Sequence, residues 1–182
     1  MTAQVTQIEQ ESVQPVPIQY YGFEPKVYKN YRIGLEPIKY CVEEIDKTHT
    51  EHWQETEVNY LTRPMDVDYD SFISHEGNRS FVLFTIRTED NKLVGQLGYF
   101  LSLSIHHKNM LQAKEDFFFI TKAHRSGGLA SQLLTYAEES LIALGVKLIG
   151  MTDKSPCGGK SLEPFLTREG YQKVAIAYVK EV

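Results

Sequence analysis

The chain has 182 residues, enough for one domain with a sizeable core. Its net charge of -5 argues against the broad basic face that nucleic-acid binding needs. Two cysteines, Cys41 and Cys157, are too few for a disulfide framework. With no basic-then-apolar leader pattern and no apolar run long enough to cross a bilayer, the expectation is a cytoplasmic protein with no membrane partner.

Residues 1–18 are polar and end near "QPVPI", which reads as a flexible arm with some polyproline character; residues 19–182 read as a single domain. In "QYYGFEPKVYKNYRIGL" the aromatics are expected to pack on that domain, with a strand near Val27–Leu35. From Pro37 the spacing turns helical through Ile38, Cys41, Val42, Ile45, His49, His52 and Trp53. His49, His52 and Glu55 share one helix face. With no further ligand cluster and Trp53 adjacent, they read as packing residues, and no metal is expected.

"DVDYDSFISHEG" suggests a second helix closing at Gly77. Two strands, "RSFVLFTIRTED" and "KLVGQLGYFLSLSIH", flank an Asp90-Asn91 turn, and "MLQAKEDFFFIT" makes a third. A helix from about Gly128 to Leu144 carries an apolar stripe of Leu133, Leu134, Ala137, Leu141 and Leu144, and stops at Gly145. A buried strand "VKLIGMT", a loop with Cys157, a short helix closed by Gly170 and a final strand "QKVAIAYVKEV" complete the chain. Strand, turn, helix and strand in the second half imply a right-handed parallel crossover. The tighter connections before it imply antiparallel pairing. The expected class is therefore α/β (α+β), a mixed, mostly antiparallel central sheet with helices on both faces.

The most informative stretch is "FFFITKAHRSGGLASQLLTYAEESLIALG". A helix start leaves N–H groups without partners and carries a partial positive charge, so it suits a phosphate. Gly127 and Gly128 remove the Cβ atoms that would keep oxygens away, Arg125 adds a forked cationic donor, and Ser126 adds a hydroxyl. A purely structural turn is the bland alternative. The order of apolar strand, arginine, two glycines, small Ala130 and amphipathic helix favours a ligand. Neither the P-loop nor the dinucleotide fingerprint fits.

Arg125-Ser126-Gly127-Gly128-Leu129-Ala130 resembles the R-x-x-G-x-G/A signature of the GNAT superfamily of acyl-CoA N-acyltransferases. The element order from about Tyr31 onward is similar as well. His52-Trp53-Gln54-Glu55, His106-His107 and Asp116 resemble patches of GNAT proteins often encoded by bacteriophages. The resemblance implies acetyl-CoA or a related thioester as co-substrate. Its pantetheine would lie on Phe118, Phe119, Ile120 and Thr121, and its pyrophosphate on Arg125 through Ala130, including Leu129. It implies direct attack by an amine of a small molecule or protein, and a homodimer is common among such relatives.

For proton transfer the candidates are Asp116 and His107, with Glu115 and His52 as further ones. Glu115 and Asp116 are adjacent, so on a regular strand only one faces the cleft. The family's usual thiolate-protonating Tyr falls on Leu166 here, beside Phe165, leaving Tyr171 or water as donor, a thiolate that departs unprotonated, or a chain that has lost catalysis. That departure keeps a second reading open: a non-catalytic GNAT-fold binding protein of phage origin that contacts a host or virion protein.

Overall fold

In the computed structural model, residues 22–56, 62–154, 161–175 and 180 are described. The expected arm, Cys157, Tyr178 and most of the expected final strand lie outside the described residues; residues 171–175 form neither helix nor strand.

The chain enters through a hairpin, β1 (Lys26–Tyr28) and β2 (Tyr31–Leu35). One strand was expected here. The break falls at Lys29, which takes φ +55 in a two-residue turn that lacks the usual Asn-Gly signature. A 3-10 turn at Ile38–Tyr40 leads into α1 (Val42–Thr56). Its start is tied to the sheet by buried Arg87, which forks onto Glu36 (2.7 Å) and Glu44 (2.8 Å). Then comes α2 (Tyr69–Gly77), capped by Asp68 accepting from the Ser71 N–H at 2.9 Å. The left-handed residue after it is Arg79 (φ +58) rather than Gly77.

Strands β3 (Phe81–Thr88), β4 (Leu93–Leu103) and β5 (Leu111–Ile120) form an antiparallel meander, and Asn91 turns the β3–β4 hairpin at φ +65. Helix α3 (Leu129–Ala143) crosses to β6 (Val146–Gly150), parallel to β5, and α4 (Glu163–Arg168) follows. The sheet order is β1-β2-β3-β4-β5-β6. β6 was expected to be buried. Lys147 and Leu148 are exposed instead, because β6 is the sheet's edge among the described residues.

Two apolar layers sandwich the sheet. One packs α3 residues Leu129, Leu133, Leu134, Ala137 and Leu141 against Ile33, Leu35, Phe84, Leu97 and Tyr99. The other packs Ile38, Cys41, Ile45 and the α2 ring Phe72 against Phe81, Leu83 and Phe117. Each fully buried side chain of this size contributes roughly 1.5–3 kcal/mol.

Ala113 belongs to the α3 layer and Phe117 to the α1–α2 layer, although four residues apart on a regular strand would share a face. The register explains it. Tyr99 pairs with Glu115 and Gly98 with Phe117, so Asp116 is the extra residue of a β-bulge.

Candidate active site

The bulge coincides with a parting of strands. β5 and β6 pair from Leu111–Val146 to Lys114–Gly150; past that point β5 runs on through Ile120 without β6. Between them opens a cleft of about 530 Å³. The Thr121 N–H bonds the Val94 carbonyl on β4 at 2.9 Å. Strand alternation then turns the main-chain groups of Phe118 and Ile120 away from β4, toward the gap. The Ile120 carbonyl, facing that way, accepts from Arg125 Nε at 2.6 Å.

The glycine turn borders the same cleft. Gly127 (φ +69) and Gly128 (φ +82) both sit in the left-handed region that side chains disfavour. Gly128 is the N-cap of α3, with no side-chain cap and no acidic residue in the first turn. The helix's ladder starts with the Gln132 N–H on the Gly128 carbonyl (3.1 Å), so the N–H groups of Leu129, Ala130 and Ser131 precede it. Gly128, Leu129, Ala130 and Ser131 line the cleft, with Ser126 beside them. Donors that precede the helix's ladder fit a diphosphate, although the Glu169 carboxylate also reaches this turn, accepting from Ser131 Oγ at 2.7 Å.

Of the residues expected to bind coenzyme A, Phe118, Phe119, Ile120, Arg125, Ser126, Gly128, Leu129 and Ala130 line the cleft. Thr121 and Gly127 do not. Thr121 bonds back to β4, and the Gly127 carbonyl accepts from Tyr28 Oη at 2.6 Å. Arg125 is already engaged: its fork meets the Glu55 carboxylate at 2.8 and 2.9 Å, and its guanidinium stacks 4.9 Å from the Phe119 ring.

The candidate proton carriers divide between cleft and surface. Glu115 is 7% exposed, opens on the cleft, and accepts from the Thr152 N–H at 3.1 Å. Burial pushes its carboxyl up to about 7, opposed by the charge of Lys154 and the hydrogen bonds of Thr152. His52 also lines the cleft, its ring 5.2 Å from that of Phe119. Asp116 and His107, together with His106, are exposed and are not among the lining residues. The physical reason is the bulge for Asp116 and a surface loop, residues 104–110, for the histidine pair.

His49 is buried against Phe117, accepts from or donates to Tyr69 Oη at 3.0 Å, and has its imidazole pushed down to about 4 by burial. On α4, Leu166 is buried and Phe165 stacks on Phe118 with centroids 6.0 Å apart. Tyr171 donates to Glu138 at 2.7 Å and is not among the lining residues.

Sequence reasoning did not assign Thr152, Asp153 and Lys154 to the site. They line the cleft because they follow β6 directly where it leaves β5, and a strand end beside a parted strand is the signal that could have found them.

Solved structures with this fold include an aminoglycoside acetyltransferase from an uncultured soil metagenomic sample, at 13% identity and TM-score 0.63, over 86% of this chain and 100% of that one. Another is ribosomal-protein-alanine N-acetyltransferase from Brucella melitensis biovar Abortus 2308, at 15% identity and TM-score 0.62, over 84% and 99%. A third is glucosamine-6-phosphate N-acetyltransferase from Arabidopsis thaliana, at 10% identity and TM-score 0.63, over 84% and 99%. No curated protein matches the sequence significantly. Residues 45–171, which carry the parted strand, the glycine turn and α4, match the acetyltransferase (GNAT) family, and the chain belongs to that family.

Proposed function

We propose that the protein is an acetyl-CoA-dependent N-acetyltransferase acting by direct attack of an amine. The observation that carries this is the glycine turn and parted strand opening on one cleft with a buried carboxyl, Glu115, in its wall. When bound, acetyl-CoA supplies a thioester carbonyl: the amine's C–N bond forms, the C–S bond breaks, and sulfur leaves as thiolate.

The chain's own residues do the rest. The N–H groups at the start of α3 hold the diphosphate, and the Phe118 and Ile120 main chain pairs with the pantetheine arm. Glu115, with an affinity for protons poised near neutrality, takes the proton that the attacking nitrogen loses. It occupies the role expected of Asp116 and His107. His52 stands close enough to the cleft to orient the amine. With Leu166 and Phe165 where a hydroxyl donor would sit, the thiolate leaves without an acid from α4. That is tolerable chemically, since a thiol is far more acidic than an alcohol (a cysteine ionises near pH 8.5) and its anion is a good leaving group. The named neighbours act on a small molecule such as glucosamine-6-phosphate or on a protein alanine, and the acceptor belongs to one of those two classes of amine.

Calorimetry with acetyl-CoA and thiol release over an amine panel test the reading. Saturable binding with turnover on a panel member is expected. Absence of binding at millimolar acetyl-CoA overturns it. Tight binding with no turnover on any amine supports the non-catalytic reading, for which the buried Leu166 is the favouring observation.

A further inference from the structure

The peptide unit joining Gly127 to Gly128 is flanked by the two residues with the fewest conformational restrictions in the turn. Such a unit can rotate between two orientations at little steric cost. In one, the Gly128 N–H faces the cleft with the other α3 donors. In the other, the Gly127 carbonyl oxygen faces it and repels an anion. The freedom of the two glycines therefore leaves the turn's binding geometry underdetermined, and something outside the turn must select it.

The β1–β2 hairpin supplies the selection. Tyr28 Oη donates to the Gly127 carbonyl at 2.6 Å, and Lys29 Nζ donates to the same oxygen at 3.3 Å, across 99 and 98 residues of sequence. The peptide is trans, so a carbonyl drawn toward the hairpin turns the Gly128 N–H the opposite way. Gly128 lines the cleft, and Gly127 does not. The approach is close: a Cβ on Gly127 would come within 2.7 Å of Lys29 Nζ. A second grip lies just upstream, where Tyr31 Oη and His124 Nδ1 are 2.9 Å apart. The two grips bracket Arg125 and Ser126.

We infer that Tyr28, assisted by Lys29, is a positioning residue for the anion-binding turn, holding the Gly127–Gly128 peptide so that its N–H joins the diphosphate site. This rests on the acetyl-CoA reading above. Lys29 also sets a positive charge beside the turn, which favours an anion there.

The test is Tyr28→Phe, which removes one hydroxyl and keeps the ring. Expected is CoA binding weaker by about tenfold, the scale of one well-placed hydrogen bond. The Tm of the free protein should fall by no more than about 4 °C. The amide resonance of Gly128 should broaden or double relative to the wild type as the peptide samples both orientations. A purely structural strut would lower Tm and leave the width of that resonance and the CoA affinity alone. Lys29→Ala, a surface change that folding tolerates, should weaken CoA binding by about two- to threefold as the longer of the two bonds is lost. Unchanged CoA affinity in both variants overturns the inference while leaving the acetyl-CoA reading intact. A wild-type protein that ignores CoA sinks that reading instead, so the two failures are distinguishable.

Discussion

From Leu111 to Lys114, β5 lies between antiparallel β4 and parallel β6; from Glu115 to Ile120, among the described residues, it is paired only with β4. The first half is ordinary sheet. The second half has main-chain groups turned toward a cleft, a carboxyl pushed up to about 7, and a helix start at its end. Near the start of the second half lies one extra residue, Asp116. The bulge changes which side chains face which layer and lets the strand twist away from its neighbour. Polar chemistry is therefore concentrated where pairing stops, because only there are backbone donors and acceptors left for a ligand.

The sharpest way to break this contrast is to strain the turn. Gly128→Val places a branched Cβ at φ +82, 3.5 Å from Tyr28 Oη, and so strains the turn that presents the first amides of α3. Strain costs about 1–2 kcal/mol or more, lowering Tm by about 2–8 °C. CoA affinity should fall by at least about 100-fold, since charge-assisted hydrogen bonds are lost together. Calorimetry showing wild-type affinity would place the diphosphate elsewhere.

Next in size is Glu115→Gln, expected to slow thiol release by about 100-fold or more and to remove the rise of rate with pH centred near 7. Stability should change with the opposite sign. A carboxyl whose proton affinity is raised on folding destabilises the protein above that point, and the penalty fades as pH falls from about 7 toward the ordinary carboxylate range. The glutamine variant should therefore gain Tm at pH 8 and little at pH 5. Asp116→Asn and His107→Ala, one residue and one loop away, should do neither. A large kinetic effect from either would return the proton to them.

A smaller effect is expected from Glu55→Gln. The Arg125–Glu55 pair is partly exposed, with side chains 39% and 43% accessible, so screening limits its contribution to stability. Its removal frees the Arg125 fork for the diphosphate, and CoA binding should tighten by about threefold at low salt and less at high salt. Weaker binding would mean that Glu55 positions Arg125 instead of competing for it.

The smallest concerns His49, which packs on Phe117 in the parted half of β5. Burial holds its proton affinity down at about 4, so stability is full above pH 6.5 and declines as pH falls through the interval to 4. His49→Phe should flatten that part of the Tm–pH curve; an unaltered curve would assign the acid sensitivity to other groups.

Much of this was legible locally. The strand–arginine–glycine–glycine–helix order marks the turn, the α3 stripe marks the core, and the Asp90–Asn91 turn marks a hairpin, each within a few residues. The hairpin at Lys29 was missed because a lysine in the left-handed region carries no such signal. Alternation narrowed Glu115 and Asp116 to one of the pair and the resemblance favoured Asp116; the bulge, where alternation fails, instead leaves Glu115 lining the cleft.

The sequence alone determined what depends on near neighbours: element order, the helix start free of acids and blocking side chains, and the apolar periodicities that cover both sheet faces. Only the tertiary structure decided which carboxyl enters the cleft, that Arg125 spends its fork on Glu55, and that Tyr28 orients a glycine carbonyl 99 residues away. These are matters of register and of pairing between distant segments. Their energies arise when the sheet closes, and no local pattern of residue types encodes them.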